Sequence, residues 1–257
     1  MTEIVPVELS WTRINEIGKR ATNQDTVGEA FRDPLACFVV ADGAGGHEGG
    51  EIASRVAVDA MLARFNAGPA FGSEALLSYA EFASGAVASR KLSQPRYADM
   101  STTVAALLVD CARGQAMWAH LGDSRVYLFR GARLHTMSKD HSLTQQLIDA
   151  GYARVEQLRI HPQRNILFAA IGAEGDTQVE LSAGAMGLEP GDALLLCSDG
   201  LWEWVMEADM ERTLSQSSTP DQWLAAMCRL ADDNIINSGK VRDNYSAYAI
   251  LVKKATP

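Results

Sequence analysis

Residues 38–54 read FVVADGAGGHEGGEIAS, in which a short apolar run leads into Asp42 and five glycines follow before a helix-like segment begins. The apolar run predicts a buried strand that ends at Asp42. Glycine at position 43 lets the backbone, including its carbonyl oxygen, come close to whatever the acid binds. A single Asp-Gly pair is most often a polar turn, so the interpretation depends on whether the pattern recurs.

The placement of an acid at the end of a strand recurs along the chain. LLLCSDG sets Asp199 after an apolar run, and VRDNYSAYAILV sets Asp243 just before one. WAHLGDSRVYLF places Asp123 between two predicted strands, and RATNQDTVG places Asp25 near the start of an early strand. In two neighbouring antiparallel strands, the end of one lies beside the start of the other at the same edge of the sheet. These acids can therefore meet at that edge. Clustered carboxylates repel one another, and oxygen ligands of this kind favour magnesium or manganese.

Composition limits the classes of function that the chain can have. Its 257 residues are 47% hydrophobic and 21% charged, as is ordinary for a globular protein. A formal net charge of -9 without a dense lysine or arginine run argues against a nucleic-acid or membrane surface. The four cysteines form no C-x-x-C pair, so free thiols in a reducing cytoplasm are expected rather than a zinc site. The N-terminal residues lack a basic start and a long apolar stretch, so they are not expected to form a signal peptide, and the longest apolar runs are too short to span a membrane.

Periodicity predicts a single α+β domain over residues 1–257. Helical patterns occupy residues 51–65 and 74–91, and a third long helix starts after Thr219 and ends at Gly239. A shorter helix is capped by Ser142 and ends at Gly151. One strand precedes Gly18, and further strands are predicted at 37–41, 103–109, 115–121, 125–130, 178–181, 193–197 and 247–252.

With these residues in place, the sequence resembles the PPM (type 2C) metal-dependent protein serine/threonine phosphatases in their bacterial form. The resemblance runs from about residue 13 to 253 and rests on ordered blocks: RATNQD, ADGAGGHEGGEIAS, STTVAALL, GDSRVYLFR, DHS, HPQRN, LLLCSDGLWEWV and DNYSAYAIL. It implies an α-β-β-α sandwich, in which two central antiparallel sheets are flanked by helices. It also implies a small flap subdomain, here called the flap segment, at residues 139–175.

The resemblance implies a centre of two Mn²⁺ or Mg²⁺ ions in a channel at one end of the sandwich. Asp42 would bridge the two ions, and Gly43 would offer its carbonyl oxygen to one of them. Asp199 and Asp243 would hold the other ion. A hydroxide that bridges the ions would attack the phosphorus of phosphoserine or phosphothreonine in line, without a phosphoenzyme.

Three further residues belong to the implied site. Asp25 would bind next to the two ions through water, and Asp123 would help to hold a third, weaker ion. Arg20 would grip the substrate phosphate, because its planar fork of donors suits paired phosphate oxygens. The implied partners are phosphorylated proteins, among them a Ser/Thr kinase and its substrates, and the expected state is a monomer that binds neither nucleic acid nor membrane.

Several positions depart from the family pattern or have two interpretations. Ala44 stands where methionine or histidine is usual, and Gln24 replaces a common glutamate, which removes one charge near the ions. His47 fits the bacterial D-G-x-G-G-H pattern and is either the general acid or a loop residue that caps the following helix or orients a metal-bound water. Asn244 is expected to orient a ligand or a water molecule. His141, like His161, is interpreted as a polar turn or cap residue.

Two other functions stay open at the level of the sequence. One is a catalytically silent module that binds phosphoproteins, which the presence of every metal-ligating acid disfavours. The other is a metal-dependent hydrolase of small phosphoesters, because a fold does not determine the substrate.

Overall fold

Two antiparallel sheets form the centre of the computed structural model, which describes residues 5–44, 49–173 and 178–255. The first sheet has the strand order β1 (Val7–Glu16), β12 (Tyr245–Lys254), β11 (Ala193–Cys197), β7 (Arg125–Arg130) and β8 (Arg133–Met137). The second has the order β10 (Met186–Gly187), β6 (Gln115–Leu121), β5 (Val104–Asp110), β3 (Leu35–Ala44) and β2 (Asp25–Arg32). Two short strands extend the second sheet: β4 (Ser101–Thr102) pairs with β3, and β9 (Glu180–Leu181) pairs with β6.

Helices cover the outer faces of both sheets. The second sheet packs against α1 (Gly50–Ala67) and α2 (Ser73–Ser93), and the first packs against α5 (Glu207–Ser215) and α6 (Pro220–Ser238). Two shorter helices, α3 (Leu143–Asp149) and α4 (Asp199–Trp202), lie in the connections. The α-β-β-α sandwich predicted from the sequence is therefore confirmed.

Alternating side chains of the central strands build three apolar layers. Phe38 faces the first sheet and packs in the layer between the sheets with Ile250, whereas Val39 points the other way into the layer under α1. The third layer lies between the first sheet and α6, where Leu195 packs with Trp223. Because both faces of these strands are buried, they appear in the sequence as continuous apolar runs rather than as alternating ones.

Most element boundaries agree with the sequence analysis. The predicted strands at 115–121, 125–130 and 193–197 have the same bounds in the structure, and the strand predicted at 178–181 is limited to Glu180–Leu181. α6 begins after Thr219, whose side chain accepts a hydrogen bond from the amide of Gln222, and ends before Gly239. The sequence did not predict α5, which is short and carries a charged outer face.

The flap segment is described as far as residue 173. It contains α3, which is capped by Ser142 as predicted, and it returns to the body through bridges between Ser142 and Leu167 and between Thr102 and Ile171. Its behaviour as a separate subdomain stays a prediction. No helix within the described ranges is long and apolar enough to span a bilayer.

Candidate metal centre

The strand ends bring the predicted aspartates to one end of the sandwich. Asp25 opens β2 and lies directly opposite Asp42, which is near the end of β3. In the other sheet, Asp199 follows the end of β11, Asp243 precedes the start of β12, and Asp123 precedes the start of β7. β11 pairs antiparallel with both β12 and β7, so the end of β11 lies beside the starts of β12 and β7 at one edge of the sheet. The two sheets thus present their acids toward the same space.

A cavity of about 210 Å³ lies between these strand ends. Four of the acids line it, namely Asp42, Asp123, Asp199 and Asp243. The remaining lining residues are Arg20, Gln24, Gly43, Ala44, Thr103, Asn244 and, from the flap segment, Asn165 and Leu167. Arg20 is the one cationic side chain among the described residues that line it. The cavity therefore carries a large excess of negative charge.

Asp25 lies behind the cavity rather than in its lining. Its side chain is 5% exposed, and its Oδ2 accepts a hydrogen bond of 2.7 Å from the hydroxyl of Ser198. Its Oδ1 is buried and has no hydrogen-bond partner among the described residues. A buried carboxylate oxygen without a donor is costly in free energy, so this atom is suited to a ligand such as a water molecule on a cation.

Backbone hydrogen bonds hold Asp42 in place. Its amide donates to Oγ1 of Thr103 at 3.0 Å, and its carbonyl oxygen accepts from the amide of Thr103 at 2.8 Å. The same Thr103 hydroxyl lies 2.6 Å from the hydroxyl of Ser124, which follows Asp123 in the chain. Thr103 therefore connects the acid of β3 to the acid that precedes β7, and the sequence analysis did not identify it.

Gly43 is required by a close approach to the first helix. A Cβ atom at this position would lie 2.0 Å from the carbonyl oxygen of Gly50, where α1 begins. The two backbones are thus in contact, which leaves no room for a side chain and refines the sequence-based explanation, in which only a ligand approached Gly43. The intervening residues 45–48, which include His47, lie outside the described part of the chain, so the prediction for His47 is untested.

The loop that carries Arg20 is fixed by Asn244. The amide nitrogen of its side chain donates to the carbonyl oxygens of Ile17 (2.8 Å) and Thr22 (3.0 Å), and its Oδ1 accepts from the backbone amide of Gln24 (2.9 Å). Arg20 itself donates to Oδ2 of Asp243 at 2.5 Å and is more than half exposed. Asn244 therefore fixes the backbone of the loop, and its own backbone amide donates to Oδ1 of Asp243 at 2.8 Å. Its predicted role in orienting the ligand Asp243 or a water molecule stays a prediction.

Burial, with a smaller contribution from neighbouring charges, raises the pKa values of four acids, Asp25, Asp42, Asp123 and Asp199. Burial raises the pKa of Asp25 to about 6, although the hydroxyl of Ser198 opposes the rise. Burial, followed by the charge of Asp25, raises the pKa of Asp42 well above its usual range. Burial also raises the pKa of Asp123 to about 7 and raises the pKa of Asp199 well above its usual range. The protein holds these carboxylates together at a cost in free energy.

The donor set fits hard divalent cations. It consists of carboxylate oxygens and backbone carbonyl oxygens, which Mg²⁺ and Mn²⁺ prefer, and it lacks the sulfur ligands that zinc and copper favour among the described residues that line the cavity. Positive ions in the cavity would remove the repulsion that raises the pKa values and would give the oxygen of Asp25 a partner. The chemistry of these residues thus fits a pair of divalent cations.

Comparisons with known proteins identify the family to which the chain is similar. The family model described as protein phosphatase 2C matches residues 15–239. The protein phosphatase PhpP of Streptococcus pneumoniae is 35% identical over 214 residues, which cover 80% of this chain and 84% of PhpP. Among solved structures, the serine/threonine phosphatase of S. agalactiae has a TM-score of 0.80 at 27% identity and covers 96% of this chain and 100% of its own. The catalytic domain of the phosphatase PstP in complex with two manganese ions also has a TM-score of 0.80 at 27% identity, with 96% and 99% covered.

Replacement of one clustered acid should stabilise the protein when no cation is present. Because the folded metal-free protein holds the proton of Asp25 more tightly than the unfolded chain does, the free energy of unfolding falls as the pH rises from about 4 through about 6. Asp25→Asn is uncharged at every pH, so at pH 8 in a chelator it should raise the free energy of unfolding by about 1–3 kcal/mol. Urea denaturation at pH 5 and pH 8 measures this, and the gain should be smaller at pH 5.

The exposed Asp59 on α1 provides a matched control, since Asp59→Asn should leave the free energy of unfolding almost unchanged at both pH values. With manganese added, the wild type should gain more stability than Asp25→Asn does. A metal-free Asp25→Asn protein that is less stable than the wild type at pH 8 would contradict the cost of a buried, charged Asp25 described for this site.

Proposed function

The chain belongs to the protein phosphatase 2C family, and we propose that its aspartate cluster is the metal centre with which it removes phosphate from phosphoserine and phosphothreonine in proteins. The enzyme is a metal-dependent protein serine/threonine phosphatase, a phosphoric monoester hydrolase. One observation supports the location of the centre above the others. Carboxylates from both sheets meet in a cavity whose described lining contains a single cationic side chain, Arg20.

Each acid has a proposed place around the cations. Asp42 and the carbonyl oxygen of Gly43, together with Asp199 and Asp243, would hold two divalent cations, with Asp42 as the ligand common to both. The positions of these residues at the ends of β3 and β11 and before β12 support the assignment. Outside this group, Asp25 would act through water from behind Asp42, and Asp123 would help to hold a third, weaker ion.

The cations supply Lewis acidity that generates a nucleophile from water near neutral pH and neutralises the charge on the phosphoryl group. The chain supplies the rest of the chemistry. Arg20 lines the cavity and donates to the carboxylate of Asp243. A phosphate group offers anionic oxygens of the same kind, so the guanidinium can leave Asp243 and bind the substrate instead. Its hold on the phosphate favours the charged transition state. Because water is the nucleophile, no cysteine or serine of the chain is needed to attack phosphorus.

Two other functions can be weighed against this proposal. A catalytically silent module would be expected to have lost at least one of the acids that line the cavity, yet Asp42, Asp199 and Asp243 are all present. Hydrolysis of small phosphoesters uses the same chemistry, but the related proteins found by the comparisons are named protein or serine/threonine phosphatases. The protein phosphatase function is therefore favoured over both.

The identity of the phosphoprotein partners forms a further part of the proposal. We infer that the enzyme acts as a monomer in the cytoplasm, on a Ser/Thr kinase and on the substrates of that kinase. Four free cysteines favour a reducing compartment. Dephosphorylation assays on the kinases and forkhead-associated-domain proteins encoded near this chain's own gene test the choice of partner.

Phosphatase activity should require a divalent cation. With manganese, the purified protein should release phosphate from phosphothreonine and phosphoserine peptides, and a chelator should abolish the release. Asp42→Asn should lower kcat by more than about a hundredfold because it removes the bridging carboxylate. Asp59→Asn, which changes an exposed acid on α1, serves as the control and should keep full activity. An unmodified phosphothreonine peptide after incubation with manganese would contradict the function, and faster hydrolysis of nucleotides or sugar phosphates would favour the small-substrate alternative.

Arg20 should affect substrate binding more than turnover. Arg20→Ala removes a charge-assisted contact with phosphate and should raise KM about 10- to 100-fold, with a smaller effect on kcat. Arg20→Lys keeps the charge but not the planar fork, so it should recover part of the loss. Steady-state kinetics on a phosphopeptide measure both constants. The control is Arg32→Ala, because Arg32 lies at the end of β2 away from Asp25. An unchanged KM in Arg20→Ala would exclude Arg20 as the phosphate-binding residue.

A further inference from the structure

A cluster of two histidines and a glutamate adjoins the turn that carries Asp123. His120 is on β6, His141 is in the flap segment, and Glu180 is on β9, directly opposite His120 in the strand register. The two imidazole rings stack with centroids 4.7 Å apart and an interplanar angle of 14°. Among the described residues that line the acidic cavity, none belongs to this cluster. The proposed metal centre therefore does not account for it.

The hydrogen bonds of His141 determine its tautomer. The backbone amide of Gly122 lies 3.1 Å from Nδ1 of His141, and an amide nitrogen can only donate, so Nδ1 must accept. The ring hydrogen of the neutral imidazole is then on Nε2, which lies 3.1 Å from Oε2 of Glu180. Glu180 thus accepts the hydrogen of Nε2, which leaves Nδ1 without a hydrogen and able to accept from the Gly122 amide.

A second hydrogen bond ties the same two residues together. The backbone amide of His141 donates to the carbonyl oxygen of Gly122 at 2.9 Å, so Gly122 is bonded through both its amide and its carbonyl. On the far side, the carbonyl oxygen of His141 accepts from the amide of Phe168, which is also in the flap segment. His141 therefore joins the flap segment to the turn before Asp123.

His120 supports the ring of His141. Its Nε2 lies 2.7 Å from the carbonyl oxygen of Lys139, which can only accept, so this nitrogen carries the hydrogen. The residue is 1% exposed, and its burial lowers its pKa. The neutral ring of His120 packs flat against His141 and limits the rotation of that side chain.

A metal ion is the main alternative for this cluster, because one ligand atom from each of the three side chains lies within 4.8 Å of the others. The hydrogen bonds disfavour it. An ion on Nε2 of His141 would require the hydrogen to move to Nδ1, where the Gly122 amide already points. Two nearly parallel rings also cannot both direct their in-plane lone pairs at a single ion. The arrangement favours a chain of hydrogen bonds from Glu180 through His141 to Gly122, here called the relay, over a metal site.

The turn that receives these hydrogen bonds is tightly constrained. Gly122 has a φ of 99°, and a Cβ on it would lie 2.8 Å from Cβ of Thr103. The carbonyl oxygen of the next residue, Asp123, accepts a hydrogen bond of 2.8 Å from Nε1 of Trp202. The orientation of Asp123 is therefore set from two sides, by the indole of Trp202 after it and by the imidazole of His141 before it.

We propose that His141 is a positioning residue, which accepts the Gly122 amide and so holds the turn that presents the Asp123 carboxylate to the cavity. Glu180 fixes the tautomer that this requires, and the tie to Phe168 makes the geometry of Asp123 depend on the base of the flap segment. The predicted effect of His141 on cation affinity rests on the proposed function of Asp123. The hydrogen bonds of the relay do not depend on that function.

Paired substitutions of His141 separate the relay from a general structural role. In His141→Asn, the side-chain oxygen takes the place of Nδ1 and can still accept the Gly122 amide, whereas in His141→Gln the polar atoms take the place of Nε2. Manganese titrations by calorimetry should show that His141→Gln weakens the weakest cation site about three- to tenfold, while His141→Asn stays within about twofold of the wild type. Glu180→Gln, which can donate as well as accept, should lie between the two. His135→Asn and His135→Gln, at an exposed histidine on β8, are the matched controls.

Nitrogen-15 NMR of the metal-free protein at pH 8 tests the relay without any activity measurement. The wild type should show a hydrogen on Nε2 and none on Nδ1 of His141, and the Gly122 amide signal should shift in His141→Gln but much less in His141→Asn. A hydrogen on Nδ1, equal losses of cation affinity in both variants, or zinc binding that displaces the His120 and His141 signals would each overturn the proposal. If the wild type lacks manganese-dependent activity while these NMR results hold, the proposed function fails and the relay stands.

Discussion

Electrostatic repulsion among carboxylates at one end of the sandwich is the constraint on which the rest of this structure depends. Asp25 and Asp42 face each other across two paired strands, and burial raises the pKa of both. A globular protein has no reason to accept this cost for stability alone, since neutral side chains would pack there without it. The cost becomes understandable when cations occupy the cavity, because the same oxygens then become ligands and the repulsion becomes attraction.

The sandwich makes this arrangement possible because it brings many strand ends to one place. Extensive apolar layers on both faces of each sheet stabilise the strands, so their ends can carry polar groups that contribute little to the core. Hydrogen bonds with the side chains of Thr103 and Asn244 then restrict the backbone near Asp42 and Arg20. The relay through His141 extends the same principle to Asp123, the acid most distant in sequence from the other clustered acids of its sheet. Stability thus comes from the core, and geometry comes from buried hydrogen bonds around the site.

Sequence patterns predicted the acids but not their supports. Asp42 and Asp199 follow long apolar runs, so strand periodicity placed them at strand ends, and antiparallel pairing placed those ends together. Thr103, Ser198 and His141 carry no such signal, because their roles come from partners far away in the chain, as in the bond between Ser198 and Asp25. Helix α5 was missed because it is only nine residues long and buries only Met210, Thr213 and Leu214, so it offers too few apolar positions for a pattern to stand out in the sequence. The family resemblance assigned ligand roles that local physics alone left open.

The central claim is that these aspartates exist to hold a pair of divalent cations. Anomalous X-ray diffraction from crystals of the protein soaked in manganese tests it most directly. The account predicts two strong manganese peaks close to each other, both beside Asp42, with Asp199 and Asp243 on one of them. Peaks only at other positions, for example between His120 and His141, or an acidic cavity without manganese at saturating concentration, would contradict it.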